Sequence, residues 1–282
     1  MPTEKLHIHD LPQQTVDAVC DRIAGFTVGL FRITNEHGRE NLVSIGAGTL
    51  VTTAGLHGVL TADHVVAELR SDEPLGMIAD YTGKLSRLRF ERQHLQVDRI
   101  ARGSDDSRGP DLGFIRLAPN DIGMLKAQKS FFNIEKRMQR FTQSYIDKQE
   151  GFWFCSGLIG EFETSLPPRP GYSSIKGCQG LCGASANPRE YHDAEFDYIE
   201  IDVSGISMNP ELPASFGGMS GGGVWQVPMH RGQDNIIAAQ EVILSGVIFY
   251  QTALANDART LRCHGRQTVY QNLPEYFRTQ RA

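Results

Sequence analysis

Ser220 stands in ASFGGMSGGGVW, residues 214–225, with five glycines within three residues of it and a β-rich run directly after. Glycine carries no Cβ, so a turn this rich in it can point backbone N–H groups inward. Such donors are what an acyl-transfer site needs to hold the oxyanion of a tetrahedral intermediate. The chemistry on offer is attack by the Ser220 hydroxyl on a carbonyl carbon. A glycine-rich turn with no chemical role has the same local sequence.

A serine hydroxyl needs a base. The run GAGTLVTTAGLHGVLTADHVV, residues 46–66, is two strands and a turn leading into Thr61-Ala62-Asp63-His64-Val65-Val66. A histidine directly after an apolar strand can project from a barrel rim towards a cleft. A surface histidine at a strand end is the competing reading, and among nine histidines the nearest rival is His57 in the turn LHG. In GPDLGFIRL, residues 109–117, Asp111 opens an alternating apolar strand. A carboxylate entering a buried strand is costly unless something pairs with it, and an imidazole N–H is such a partner. Asp111 also fits a plain turn after Pro110, and Asp105 and Asp106 are rivals in an exposed-looking loop.

TADH, DLGFIRL and GMSGG, in the order His64, Asp111, Ser220, resemble the chymotrypsin/trypsin-like serine protease family over about residues 25–260. The order separates this resemblance from the subtilisin and α/β-hydrolase arrangements. It implies a serine endopeptidase with Ser220 as nucleophile, His64 as general base and Asp111 orienting the histidine. The amides of Gly218 and Ser220 would form the oxyanion hole. Gly246–Gln251 would bind the substrate backbone by strand addition, with Ala214, Phe249, Tyr250 and Gln251 shaping the pocket for small or apolar side chains. Secreted members carry an aspartate before the nucleophile that pairs with a new N-terminus. Met219 stands there instead, so activation of that kind is not expected. In this the chain is similar to bacterial intracellular and HtrA-like members, without room for a PDZ domain after residue 260. Protein or peptide substrates are implied, and no cofactor or metal. The alternatives are a latent protease-like binding module, or a self-processing protease or esterase using the same triad.

Elements that would position these residues follow from the pattern. Short β-rich runs from FTVGLFRI to DLGFIRLAP, and again from GFWFCSGLIGEFE to EVILSGVIFYQ, are separated by Gly, Asn, Asp and Pro turns. That spacing suggests a sandwich or barrel. The expected fold class is all-β, two six-stranded antiparallel barrels with short flanking helices. The expected units are a helical extension (1–24, capped by Asp10), a first barrel with His64 and Asp111 (25–120), a helical connector (121–150), a second barrel with Ser220 (151–262), and a tail with a short helix (263–282).

The 282 residues suffice for two such cores. Net charge of −5 without a basic block argues against nucleic acid as a partner. No run has the length of a membrane-spanning helix, and no basic-then-apolar leader opens the sequence, so the expected compartment is the cytoplasm. An odd count of five cysteines agrees with that. Cys178 and Cys182 are a close pair whose role is left open between a thiol pair and half a metal site. Oligomeric state has no signature in the sequence.

Overall fold

The computed structural model describes residues 11–36, 38–78, 87–143, 151–166, 175–177, 180–185, 188–203, 213, 215–231, 237–239, 241–253 and 259–280. Helix α1 (Gln13–Ala24) opens it and buries Val19 and Ile23, one helical turn apart. Pro12 occupies its N-cap position, and Asp10 lies outside the described residues.

The first sheet is built from β1 (Thr27–Glu36), β2 (Arg39–Thr53), β3 (Leu56–Thr61), β4 (Leu75–Ile78), β5 (Arg87–Phe90), β6 (Gln96–Arg102) and β7 (Asp111–Arg116). Its order is β5-β4-β1-β2-β3-β7-β6, all antiparallel. The five-residue helix α2 (Asp63–Ala67) follows β3 directly. The segment expected to connect two halves carries helices α3 (Pro119–Lys126) and α4 (Ile134–Gln143). Between them β8 (Phe132–Asn133) adds an eighth strand, parallel to β2.

Strands β9 (Phe152–Leu158), β10 (Thr164–Leu166), β11 (Ile175–Gly177), β12 (Gly180–Ser185), β13 (Arg189–Asp193) and β14 (Phe196–Asp202) come next. They are followed by β15 (Gly223–Val227), β16 (Met229–Arg231), β17 (Ile237–Ala239), β18 (Ile243–Gln251) and β19 (Thr260–His264). The second sheet runs β12-β9-β15-β18-β19-β14-β13, and β10-β11 and β16-β17 form separate hairpins. The architecture is the antiparallel double β-barrel of the trypsin-like fold, with eight- and seven-stranded sheets where six strands each were expected. Helix α5 (Leu273–Thr279) provides the short C-terminal helix. Among the described residues no helix is long and apolar enough to cross a membrane.

The core crosses between the sheets, which is what brings a site shared by both into register. Phe26 from the start of the first sheet stacks on Trp225 of β15 with ring centroids 5.5 Å apart. Phe196, Tyr198 and Phe249 from the second sheet are buried in one cluster with Val65 and Val66 of α2 and Ile115 of β7.

Candidate active site

His64 is the second residue of α2, where Ala62 is the extended N-cap after the end of β3. Its ring Nδ1 lies 2.6 Å from Asp111 Oδ2, and its backbone N–H donates to Asp111 Oδ1 at 2.9 Å. Asp111 opens β7 and is 2% exposed, whereas the His64 side chain is 36% exposed. A carboxylate in this position accepts the Nδ1 proton, which leaves Nε2 of the neutral ring with its lone pair. Burial works to raise the Asp111 pKa, but the hydrogen bonds and charge of His64 and the Arg102 guanidinium outweigh it. The carboxyl is held below its ordinary value and stays ionised.

Three further groups surround this pair. Asp63, fully buried, is gripped in bidentate fashion by Arg99, Nε to Oδ1 at 2.8 Å and Nη2 to Oδ2 at 2.7 Å. Arg102 sets Nη1 3.8 Å from Asp63 Oδ2 and 3.5 Å from Asp111 Oδ2, while Nη2 donates to Asp106 at 2.6 Å. Residues three apart in a regular strand face opposite ways. A β-bulge between Arg99 and Ala101 inserts the extra residue that lets Arg99 and Arg102 both reach Asp63.

The third group comes from the other sheet. His264, at the end of β19, is fully buried, and its Nε2 accepts the backbone N–H of Asp111 at 3.0 Å. Desolvation lowers its pKa to about 4, so it is neutral at physiological pH with the proton on Nδ1. Phe196, Tyr198 and Phe249 box the ring at centroid distances of 5.6, 5.4 and 5.0 Å.

Ser220 is half-buried in the turn between Phe216 and β15. The turn rests on the first sheet: the Ser220 carbonyl accepts the Ala47 N–H at 2.8 Å. Gly46 shows how closely the parts meet, since a Cβ there would stand 2.9 Å from Ser220 O and 2.8 Å from Val65 Cγ2, the residue after His64. Gly221 has φ of +88°, and a Cβ on it would strike Ala47 O and Thr61 Oγ1. The glycines thus press the serine turn onto the strand that delivers His64. Among the described residues Ser220 Oγ makes no hydrogen bond, to His64 or elsewhere.

Amides along the turn divide into two sets. Those of Met219, Gly221 and Gly222 donate to Phe216 O, Ile248 O and Met219 O at 3.1, 2.7 and 2.8 Å. Those of Gly218 and Ser220 make no hydrogen bond among the described residues, leaving two donors open on the Ser220 turn. Met219 is fully buried in an apolar cluster with Ile159, Phe216 and Ile248.

The residues expected to shape a substrate pocket are placed differently from one another. Phe249 is buried against Tyr198 and His264, so it forms floor rather than open wall. Tyr250 is half-buried at the sheet surface. Gln251 has its amide occupied: Oε1 accepts the Phe216 N–H at 2.5 Å and Nε2 donates to Ser215 Oγ at 3.2 Å, tying β18 to the glycine turn. Ala214 lies outside the described residues, as does Cys178.

The rivals fall elsewhere. His57 packs edge-on against Phe131 at 5.0 Å, its pKa lowered by burial and by Lys126. Asp105 accepts from Ser107, and Asp106 from Arg102. Among the described residues no group of three or more His, Cys, Asp or Glu could hold a metal ion. Cys155 and Cys263 are buried thiols raised by desolvation, the former to about 12, which keeps both in the unreactive protonated form.

Asp63, Arg99, Arg102 and His264 were not singled out from sequence. Asp63 had a signal: a charged residue between an apolar strand and His64 must be paired if it is buried. His264 had none, because nothing local marks the end of TLRCH as facing the other barrel.

No protein-family model matches the sequence, and no curated protein does either. Solved structures do. One is a Sesbania mosaic virus structure concerned with coupled folding and binding of the disordered VPg protein, 14% identical, TM-score 0.45, covering 88% of this chain and 90% of that one. Catalytically inactive tobacco etch virus protease complexed with substrate is 10% identical, TM-score 0.36, covering 90% and 85%. Tobacco vein mottling virus protease is 10% identical, TM-score 0.39, covering 89% and 83%. None of these three speaks for the bacterial branch expected from the sequence. At such values the fold assignment rests on the sheet topology, and the chemistry on this chain's own residues.

Proposed function

We propose that the protein is a serine endopeptidase that cleaves peptide bonds through an acyl-enzyme. The observation that carries this reading is the two-point contact between His64 and buried, ionised Asp111, Nδ1 to Oδ2 at 2.6 Å and N–H to Oδ1 at 2.9 Å. That contact holds the tautomer in which Nε2 is a base. Ser220 Oγ loses its proton to His64 Nε2 as it attacks the substrate carbonyl. The amides of Gly218 and Ser220 receive the developing oxyanion, each donor contributing about 3 kcal/mol at the transition state. His64 then protonates the leaving amine, and water resolves the ester along the reverse path. The substrate backbone pairs with the Gly246–Gln251 segment of β18.

A second reading, a latent protease-like binding module, is favoured by one observation: Ser220 Oγ and His64 share no hydrogen bond. Such contacts often tighten only when substrate binds. Labelling with a fluorophosphonate decides between the two. Labelling of wild type that is lost in both Ser220→Ala and His64→Ala supports the peptidase. No labelling of the folded wild type sinks it in favour of the binding module.

A further inference from the structure

Directly opposed residues in neighbouring strands share a face of the sheet. Pairing of Tyr191 with Tyr198, Tyr198 with His264 and His264 with Val247 makes one row across β13, β14, β19 and β18, and this row reaches Asp111 through His264. The next row on that face pairs Arg189 with Glu200, Glu200 with Arg262 and Arg262 with Tyr250. Arg262 and His264 are two residues apart on β19, a spacing of about 7 Å. The loop leading into Asp111 closes over this second row, with Arg262 Nη1 donating to Ser107 O at 2.6 Å. The result is a cleft of about 380 Å³ lined by Arg108, Arg189, Tyr191, Asp193, Glu200 and Arg262.

Glu200 does not compete for a ligand in this cleft. It is 6% exposed, Arg189 Nη2 occupies Oε2, and Arg262 Nε occupies Oε1 at 2.8 Å. Burial raises its pKa, but the two guanidiniums outweigh burial and keep it ionised. It therefore acts as the strut that fixes two planar forks. Their remaining donors, Nε and Nη1 of Arg189 and Nη2 of Arg262, make no hydrogen bond among the described residues. Arg108 is largely exposed and pairs with Asp105 at 3.5 Å. Fixed guanidinium forks match a carboxylate in bidentate fashion. Tyr191, stacked on Tyr198 at 5.2 Å, supplies an apolar wall for an aliphatic stem. Asp193, exposed at the end of β13, leaves the cleft with three cations against two carboxylates, one of them saturated.

We propose that this cleft is a subsite for a glutamate or aspartate side chain of the polypeptide substrate, at a position removed from the scissile bond. The proposal deepens the peptidase reading and rests on it for the word substrate, but the binding itself does not.

The test uses the full chain carrying Ser220→Ala, titrated into fluorescein-labelled hexaglutamate or hexaglutamine and followed by anisotropy. Hexaglutamate is expected to bind about tenfold more tightly. The preference is expected to fall to within about twofold when Arg189→Gln is added, and to persist with Arg22→Gln, an exposed arginine of α1 that does not line the cleft. Arg189 is largely exposed but pairs with buried Glu200, so circular dichroism checks that its variant is folded. Circular dichroism accompanies Arg262→Gln, whose loss of preference in a folded protein adds support. Equal binding of the two peptides, or an equal loss in the Arg22→Gln control, overturns the proposal. Fluorophosphonate labelling of the Ser220 protein, run in parallel, keeps the two ideas apart. Preference without labelling retains the acid-binding cleft and rejects the peptidase; labelling without preference does the reverse.

Discussion

His264 and Asp111 meet across the two sheets: the buried imidazole Nε2 accepts the backbone N–H of the residue that orients His64, at 3.0 Å. The contact is made by the main chain of Asp111, so it leaves both carboxylate oxygens to His64 and Arg102. A residue of the second sheet thereby holds the strand end whose carboxylate binds His64.

Replacing His264 with Phe tests that link. The ring fits the box of Phe196, Tyr198 and Phe249 but offers no acceptor. The expected outcome is a fold retained by circular dichroism and a fluorophosphonate labelling rate reduced about tenfold or more, because misplacement on the ångström scale suffices for such losses. His264→Gln, which restores an acceptor, is expected to recover part of the rate. Equal rates for wild type and His264→Phe would show that the bond positions nothing.

The same residue predicts how stability depends on pH. His264 titrates at about 4 in the fold against an ordinary value of 6.5. Between these limits the unfolded chain binds a proton at this position and the folded chain does not, so stability rises with pH across that window. The contribution is fully present above pH 6.5 and is lost as pH falls towards 4, on the order of 3 kcal/mol in total. Urea unfolding at pH 7.5, 5.5 and 4.5 should show wild type losing stability more steeply than His264→Gln. Parallel losses in the two proteins would contradict the assignment.

Asp111→Asn separates charge from shape. An amide can still accept the His64 N–H, but its NH₂ group would donate to Nδ1 and leave the proton on Nε2, the wrong tautomer for a base. On the proposed peptidase reading, turnover of a peptide substrate is expected to drop about 10⁴-fold, the size seen for this change in comparable triads, with the fold intact. A loss of less than about tenfold would remove Asp111 from the proposed triad.

The fold class was legible in the sequence, because alternation and turn residues mark the two β groups. Short motifs mark His64 and Asp111, which the fold brings into contact, and Ser220, whose Oγ bonds to neither. What could not be read was long-range. His264 acts on a backbone atom 153 positions away. Arg99 and Arg102 reach one carboxylate because of a bulge, and a bulge has no fixed local spelling. Position along a strand marks Phe249 and Gln251, yet burial against His264 and bonding to Ser215 and Phe216 decide what each side chain can meet.

Asp63 and Arg99 carry the last prediction, which turns on their unequal burial. Asp63 is fully buried, whereas the Arg99 side chain is 57% exposed. Removing the arginine strands a carboxylate in the interior with Arg102, 3.8 Å away, as its remaining cation. Removing the carboxylate charge leaves a guanidinium that water can solvate. Arg99→Met should therefore cost on the order of 2 kcal/mol, and Asp63→Asn distinctly less. The double variant should recover most of the difference, since the stranded charge is then gone. Thermal unfolding of the three proteins gives the order directly. The labelling rate should follow it, because Asp63 sits beside His64 and anchors the start of α2. If Asp63→Asn proves the more destabilising change, the carboxylate is making contacts beyond its two arginines, and the pair is not what holds the helix in place.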